Sequence, residues 1–195
     1  MILYLDTETT GLHPGQICQL SYVMQYADKT ECKNFFFTVD YVEPSAVAVH
    51  GLSVEKLKVL SQNKRFSDFA KEISLDLESA DVVVCHNFSF DSMFLRKEFG
   101  QINLPLLIKN EFCSMKKSTP ICKLIGRRVG YKYPKLCELT AFLGIGDSEI
   151  LAETRKLFGA SVGFHDARFD TVAVYLAMKK GMNIEIELSG LRDYL

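Results

Sequence analysis

A mixed α/β sheet with helices packed around it is the fold class this sequence predicts, and three observations carry that expectation. Three apolar and aromatic runs, Met1–Leu5, Ile17–Tyr26 and Cys32–Val39, succeed one another with short polar turns between them, as in an antiparallel meander. The remainder alternates helical periodicity with one strongly apolar strand, Asp81–Cys85. Strands first, then helices around a further strand, suit a mixed sheet better than a purely doubly wound one. The length, 195 residues, is that of one domain. No repeat, low-complexity tract or Pro/Ser linker divides it, so residues 1–195 read as a single domain with a tail at 182–195.

Each element has a local reason. Met1–Leu5 is an apolar run ending at an acid. The Ile17 and Cys32 runs are rich in β-branched and aromatic residues, with Phe35, Phe36 and Phe37 in the second, and Asp28-Lys29 fits the turn between them. Ser53 is placed to cap a short helix through Leu60, with Glu55 in its first turn. Phe66, Phe69, Ala70, Ile73 and Leu77 recur at helical spacing. Ser89–Phe99 reads as a helix stopped by Gly100. Leu136–Leu143 gives a short helix before Gly144. Asp166–Lys180 gives a last helix with Gly181 beyond it. Between them, 146–163 holds its own helical stretch near 149–157. Asn183–Leu188 alternates Ile with acid and suits an edge strand or a dimer contact.

Composition excludes several classes. Hydrophobic residues are 48%, charged residues 24%, and the net charge is −1, so a disordered chain or a histone-like binder is excluded. No apolar run nears the ~20 residues that cross a bilayer, so no membrane is expected. Six cysteines lack a C-x-x-C pair, and the start of the chain does not read as a secretory signal. Reduced thiols in a cytoplasmic protein are expected.

The acids sit where chemistry would place them. Asp6 and Glu8, two apart at the end of the first strand, face the same way. Two carboxylates about 4 Å apart cost on the order of 4 kcal/mol at an effective dielectric near 20; a hard divalent cation removes that cost. Asp91 falls in the first turn of the helix after Asp81–Cys85, where the helix dipole also favours an acid. His86 and Asn87 precede that helix and suit capping a loop, a reading that for His86 stands ahead of a catalytic one. In His165–Asp170 the two end residues cannot share a cleft from within one regular helix, because five residues turn about 500°. With His165 on the loop before the helix and Asp170 in its first turns, they can. A histidine there suits orienting or deprotonating a water. Asp166 reads as a helix-capping acid.

These elements, in this order, resemble the DEDDh branch of the DnaQ-like 3′–5′ exonucleases. The first motif is Asp6-Thr7-Glu8-Thr9-Thr10-Gly11-Leu12, the second His86-Asn87-Phe88-Ser89-Phe90-Asp91, and the third H-x-A-x-x-D from His165 to Asp170. A lesser feature is Val49-His50-Gly51-Leu52. The resemblance implies a ribonuclease H-like fold: a five-stranded mixed sheet with an antiparallel three-strand start and helices on both faces. It implies Mg²⁺ or Mn²⁺, two per site, held by Asp6, Glu8, Asp91 and Asp170, with His165 as general base. These five would be catalytic, and Thr7, Leu12, His50, Asn87 and Phe90 would contact the terminal nucleotide. The implied activity frees nucleoside 5′-monophosphates from single-stranded 3′ ends of DNA; an RNA-trimming enzyme is the alternative. A polymerase partner and a homodimer both stay open.

Three rival classes fit less well. A haloacid-dehalogenase-like phosphatase needs D-x-D, and here the second acid is Glu8. A ribonuclease H-type endonuclease does not call for H-x-A-x-x-D. A non-catalytic nucleic-acid-binding module would be expected to have lost acids that are all present. One further feature stands outside the resemblance. From Lys109 to Lys135 there are eight basic residues (Lys109, Lys116, Lys117, Lys123, Arg127, Arg128, Lys132 and Lys135) against Glu111 alone, interleaved with Tyr131 and Tyr133. That composition suits phosphate attraction and base stacking.

Overall fold

The computed structural model describes residues 1–127 and 129–182; the tail expected to pair at Asn183–Leu188 lies outside them. Among the described residues the chain forms β1 (Ile2–Thr9), β2 (Ile17–Gln25), β3 (Thr30–Phe36), α1 (Pro44–His50), α2 (Val54–Leu60), α3 (Phe66–Ser79), β4 (Val82–Cys85), α4 (Phe88–Gln101), β5 (Glu111–Cys113), α5 (Ser114–Cys122), α6 (Leu136–Phe142), α7 (Asp147–Phe158) and α8 (Ala167–Met182). The strands make one sheet in the order β3-β2-β1-β4-β5. β1, β2 and β3 pair antiparallel, whereas β4 pairs parallel to both β1 and β5. This is the mixed sheet and antiparallel start that the sequence predicts.

β1 lies in the middle, which explains its composition. A strand covered on both faces needs apolar residues at every position rather than at alternate ones. Ile2 and Tyr4 join Val82 and Val84 under α6, α7 and α8. Leu3 and Leu5 join Leu20, Tyr22 and Val83 under α3 and α4. The three-phenylalanine run splits by the same alternation. Phe35 and Phe37 enter an aromatic cluster with Phe66 and Phe69, and Phe66 meets Phe99 edge-to-face at 5.2 Å. Phe36 points to the other face, where the Arg168 guanidinium lies 5.5 Å from its ring centre.

Ser53 caps α2 as expected, its hydroxyl accepting the Lys56 N–H. Two expected stops move. α4 runs through Gly100 to Gln101, and the chain leaves it at Asn103, which takes a left-handed φ of 54°. α8 likewise contains Gly181. A glycine in a last turn costs only about 1 kcal/mol, too little to end a helix whose buried face still packs. α1, β5 and α5 lie where no element was expected. α1 buries no residue, β5 is three residues long, and α5 contains Pro120, so none carries a clean periodicity. Replacing Phe99 by Ala should cost about 3–5 kcal/mol, read from urea unfolding, because its ring is buried at the junction of α4 and α3.

Candidate active site

The alternation that packs β1 also builds the site. Asp6 and Glu8 continue the face of Ile2 and Tyr4, towards α8, while Thr7 and Thr9 continue the face of Leu3 and Leu5, towards α4. From α8, Asp170 reaches the same place. Carboxylate oxygens of Asp6, Glu8 and Asp170 all lie within 4.8 Å of one another. Asp91, in the first turn of α4, is buried beside them and accepts a hydrogen bond from the Thr7 hydroxyl at 2.8 Å. It stands outside the group of three, yet its charge is felt at Asp6.

Burial and mutual repulsion act together on these acids. Burial first and then repulsion push Asp6 well above the usual carboxylate range, Asp170 being the largest of the repelling charges. Glu8 is pushed up to about 8, by burial first and then by Asp170, Asp166 and Asp91. Asp170 is raised to about 7 by burial and by Asp166. Asp91 is raised to about 7 by burial, against the hydrogen bond from Thr7. Among the described residues no lysine or arginine forms an ion pair with Asp6, Glu8 or Asp170; the nearby guanidinium of Arg168 is held by Asp166 instead. The Ser21 hydroxyl, buried without a partner among the described residues, sits on the strand position opposite Asp6. Three hard oxygen donors, uncompensated and this close, fit a divalent cation of the Mg²⁺ or Mn²⁺ kind.

His165 lies where the sequence requires, on the turn before α8, with a left-handed φ of 61°. It is exposed and lines a cavity of about 560 Å³ together with Asp6, Asp170, Phe164 and Lys135. A smaller cavity of about 250 Å³ lies beyond Glu8, walled by Gly11, Leu12, Val49, His50 and Phe90. Leu12 is 78% exposed, poised over that cavity rather than packed in the core. His50 has both ring nitrogens engaged: Nδ1 accepts the Leu52 N–H at 3.0 Å and Nε2 faces the Thr9 carbonyl at 3.2 Å. Burial depresses its basicity, so it presents a neutral ring. Thr7 shares the wall, its hydroxyl taken by Asp91. Asn87 enters α4 in a left-handed conformation and accepts from the Ser89 hydroxyl at 3.2 Å. His86 bridges Ser114 Oγ and the Pro134 carbonyl, 3.0 Å to each, which is the loop-capping use.

Gln19 escaped the sequence reading. Fully buried on β2 and paired with Glu8 in register, its Nε2 donates to Asn34 Oδ1 at 2.8 Å and Asp166 Oδ1 at 2.9 Å, while its Oε1 accepts the Ala167 N–H at 3.3 Å. It thereby clamps the N-terminus of α8, the helix that carries Asp170. Asp166 also holds Arg168 through two oxygens, at 2.8 and 2.7 Å. Burial opposes that charge, but the bonds from Arg168 and Gln19 prevail and hold Asp166 below the usual range. An amide in the middle of a largely apolar strand was the available signal; without the register, nothing paired it with α8.

No protein-family model matches the chain. DNA polymerase III subunit epsilon of Salmonella typhimurium is 28% identical over 189 residues, covering 92% of this chain and 71% of that protein, and the protein of that name from Escherichia coli K12 gives the same values. Escherichia coli exonuclease I, in complex with a dA16 oligonucleotide, superposes with a TM-score of 0.68 over 99% of this chain at 19% identity. The chain is similar in sequence to these epsilon subunits. The chain spans 42% of the exonuclease I chain, and 42% also of its zinc-bound complex with single-stranded DNA, which superposes with a TM-score of 0.68 at 18% identity. That likeness concerns the ribonuclease H-like fold.

Two outcomes test the geometry of this site. Gln19→Leu strands the Ala167 N–H and removes one bond each from Asp166 and Asn34, and should destabilise the protein by about 2 kcal/mol in chemical unfolding. Asp6→Asn tests the repulsion. A raised carboxyl pKa means that the folded state keeps protons the unfolded chain gives up near pH ~4, so the cluster loses stability as pH rises from about 4 to about 8. In chelator, the melting temperature of Asp6→Asn should therefore rise above that of the wild type progressively between about pH 5 and about pH 8. A constant difference across that range would refute the repulsion.

Proposed function

We propose that the chain is a divalent-metal-dependent 3′–5′ exonuclease that frees nucleoside 5′-monophosphates from single-stranded DNA ends. The observation that carries the reading is the convergence of Asp6, Glu8 and Asp170, with His165 lining the same cavity as Asp6 and Asp170. The relatives and the exonuclease I complexes with DNA support it. Asp6, Glu8 and Asp170 would hold one cation, and Asp6 with Asp91 a second. Two such ions supply Lewis-acid stabilisation of the phosphate charge and of the leaving oxygen.

The chain's own residues would do the rest. His165, exposed on its turn, takes the proton of the attacking water. The new bond forms between that water oxygen and phosphorus as the bond from phosphorus to the 3′ oxygen breaks, and the 3′ oxygen leaves with the shortened strand. The smaller cavity, with apolar walls from Leu12, Val49 and Phe90, takes the terminal base, and the engaged ring of His50 forms its floor. An end is selected because this pocket closes beyond the terminal nucleotide. RNA remains the alternative substrate, since no residue on these walls reports on a ribose 2′-hydroxyl. The relatives' name makes a replicative DNA polymerase the partner class to test.

With Mg²⁺ and a 3′-labelled single strand, mononucleotide should appear at once, whereas a 5′-labelled strand should shorten stepwise. Internal fragments would indicate an endonuclease, and free phosphate alone a phosphatase. Asp6→Ala should reduce release to background with the fold intact. His165→Ala should slow it about 10²–10⁴-fold, the usual worth of a general base.

A further inference from the structure

Residues 123–127 and 129–133 form the two arms of a hairpin that the acid site does not use. Lys123 leaves α5 in a left-handed conformation, φ 50°. Ile125 then pairs with Tyr131, and the Lys132 N–H returns to the Leu124 carbonyl at 2.9 Å. The base of the hairpin is fixed. The Pro134 carbonyl is held by His86, at the end of β4, and Lys132 pairs with Glu138 on α6. The next residue, Lys135, lines the cavity that holds Asp6, His165 and Asp170. The hairpin therefore rises from the rim of the acid site.

Its surface combines two features. Ile125 is 86% exposed and Val129 wholly so, and Tyr131 and Tyr133 are more than half exposed. Apolar groups at a hairpin tip gain nothing from the core, so their exposure asks for a covering surface. Around them lie Lys123 and Arg127, with Lys116 and Lys117 on the preceding α5. Lys109 and Lys132 have carboxylate partners, but among the described residues these four have none. A protein partner with an apolar patch would be matched by the first feature alone. Cations alternating with rings and aliphatic tips match a single strand of nucleic acid, whose phosphates repeat and whose bases offer flat apolar faces.

We infer that the hairpin is a second binding site for the substrate strand, gripping nucleotides upstream of the one being removed. Phosphates pair with Lys123 and Arg127, and unstacked bases lie on Tyr131, Tyr133 and Ile125. The inference rests on the exonuclease reading above. It adds that affinity should depend on strand length, because a substrate of two nucleotides fills the acid site without reaching the hairpin.

The test uses the full chain with a 5′-fluorescein-labelled thymidine strand of about 16 nucleotides, near the upper site size of one single-strand-binding fold. Binding is read by anisotropy in chelator, and turnover with Mg²⁺ on that strand and on a dinucleotide. The double variant K123E/R127E should bind the long strand at least about tenfold more weakly. Its dependence of log affinity on log salt should be shallower by about 1.4, for two lost contacts of about 0.7 each. Y131A/Y133A should also bind about tenfold more weakly, but with the salt slope kept. Both variants should raise KM on the long strand and leave dinucleotide cleavage at the wild-type rate. Unchanged affinity and KM in both variants, as expected of a hairpin that serves another protein, would overturn the inference. A wild type that binds through the hairpin yet frees no mononucleotide would overturn the exonuclease reading and leave the hairpin site standing.

Discussion

The structure depends on holding like charges together on a sheet face that is otherwise apolar. Three carboxylates whose oxygens fall within 4.8 Å repel by about 3 kcal/mol per pair at an effective dielectric near 20. The protein tolerates this because the groups are anchored by elements that cannot separate. β1 is the central strand, bonded on both sides, and α8 packs over it through Phe169, Val172 and Ala173. The carboxylates are carried by two elements deeply embedded in the apolar core. A site on loops could relax away from the repulsion. Here relaxation would require unpacking the core.

The same arrangement explains what surrounds the acids. A free guanidinium close to Asp6 and Asp170 would neutralise the cluster and fill the place of a cation. Arg168, two residues before Asp170, is instead captured by Asp166 through two parallel bonds, the strong geometry for this pair. Gln19 then fixes Asp166 from the neighbouring strand. Two charges and an amide are thus spent on keeping the acid cluster uncompensated. Thr7 does comparable work on the other face, giving Asp91 one hydrogen bond while its backbone stays in the strand. The result is a cluster of carboxyl groups without a basic partner among the described residues, in a chain that as a whole is almost neutral.

The sequence made this site legible to the extent that it is local. D-x-E on a strand fixes a shared face by alternation, and H-x-A-x-x-D fixes the requirement that His165 lie outside the helix. Both features rest on period alone, and both appear in the structure. The strand order was available only through resemblance, since apolar runs do not state their neighbours. What stayed hidden was relational. Gln19 is one polar residue in an apolar run until register sets it against Glu8 and the start of α8. β5 is too short to show alternation, and Pro120 breaks the pattern of α5. The expected stops at Gly100 and Gly181 failed for the opposite reason: a local preference of about 1 kcal/mol was outweighed by packing that the sequence does not display.

Charge in this chain is segregated rather than balanced. The stretch from Lys109 to Lys135 carries eight basic residues against one acid, so the remainder is correspondingly acidic. An anionic strand is repelled by the metal-free acid cluster and attracted by the hairpin, and the two act at different range. Near 0.1 M salt, exposed charges are screened over about 10 Å, so cations far from the cluster could not offset its repulsion for an approaching phosphate. A hairpin rooted beside Lys135, on the wall of the acid cavity, keeps attraction close to repulsion. Once cations occupy the acids, the repulsive half of the pair disappears. Metal loading and strand capture should then reinforce each other even with no change of shape, because each lowers the electrostatic cost of the other.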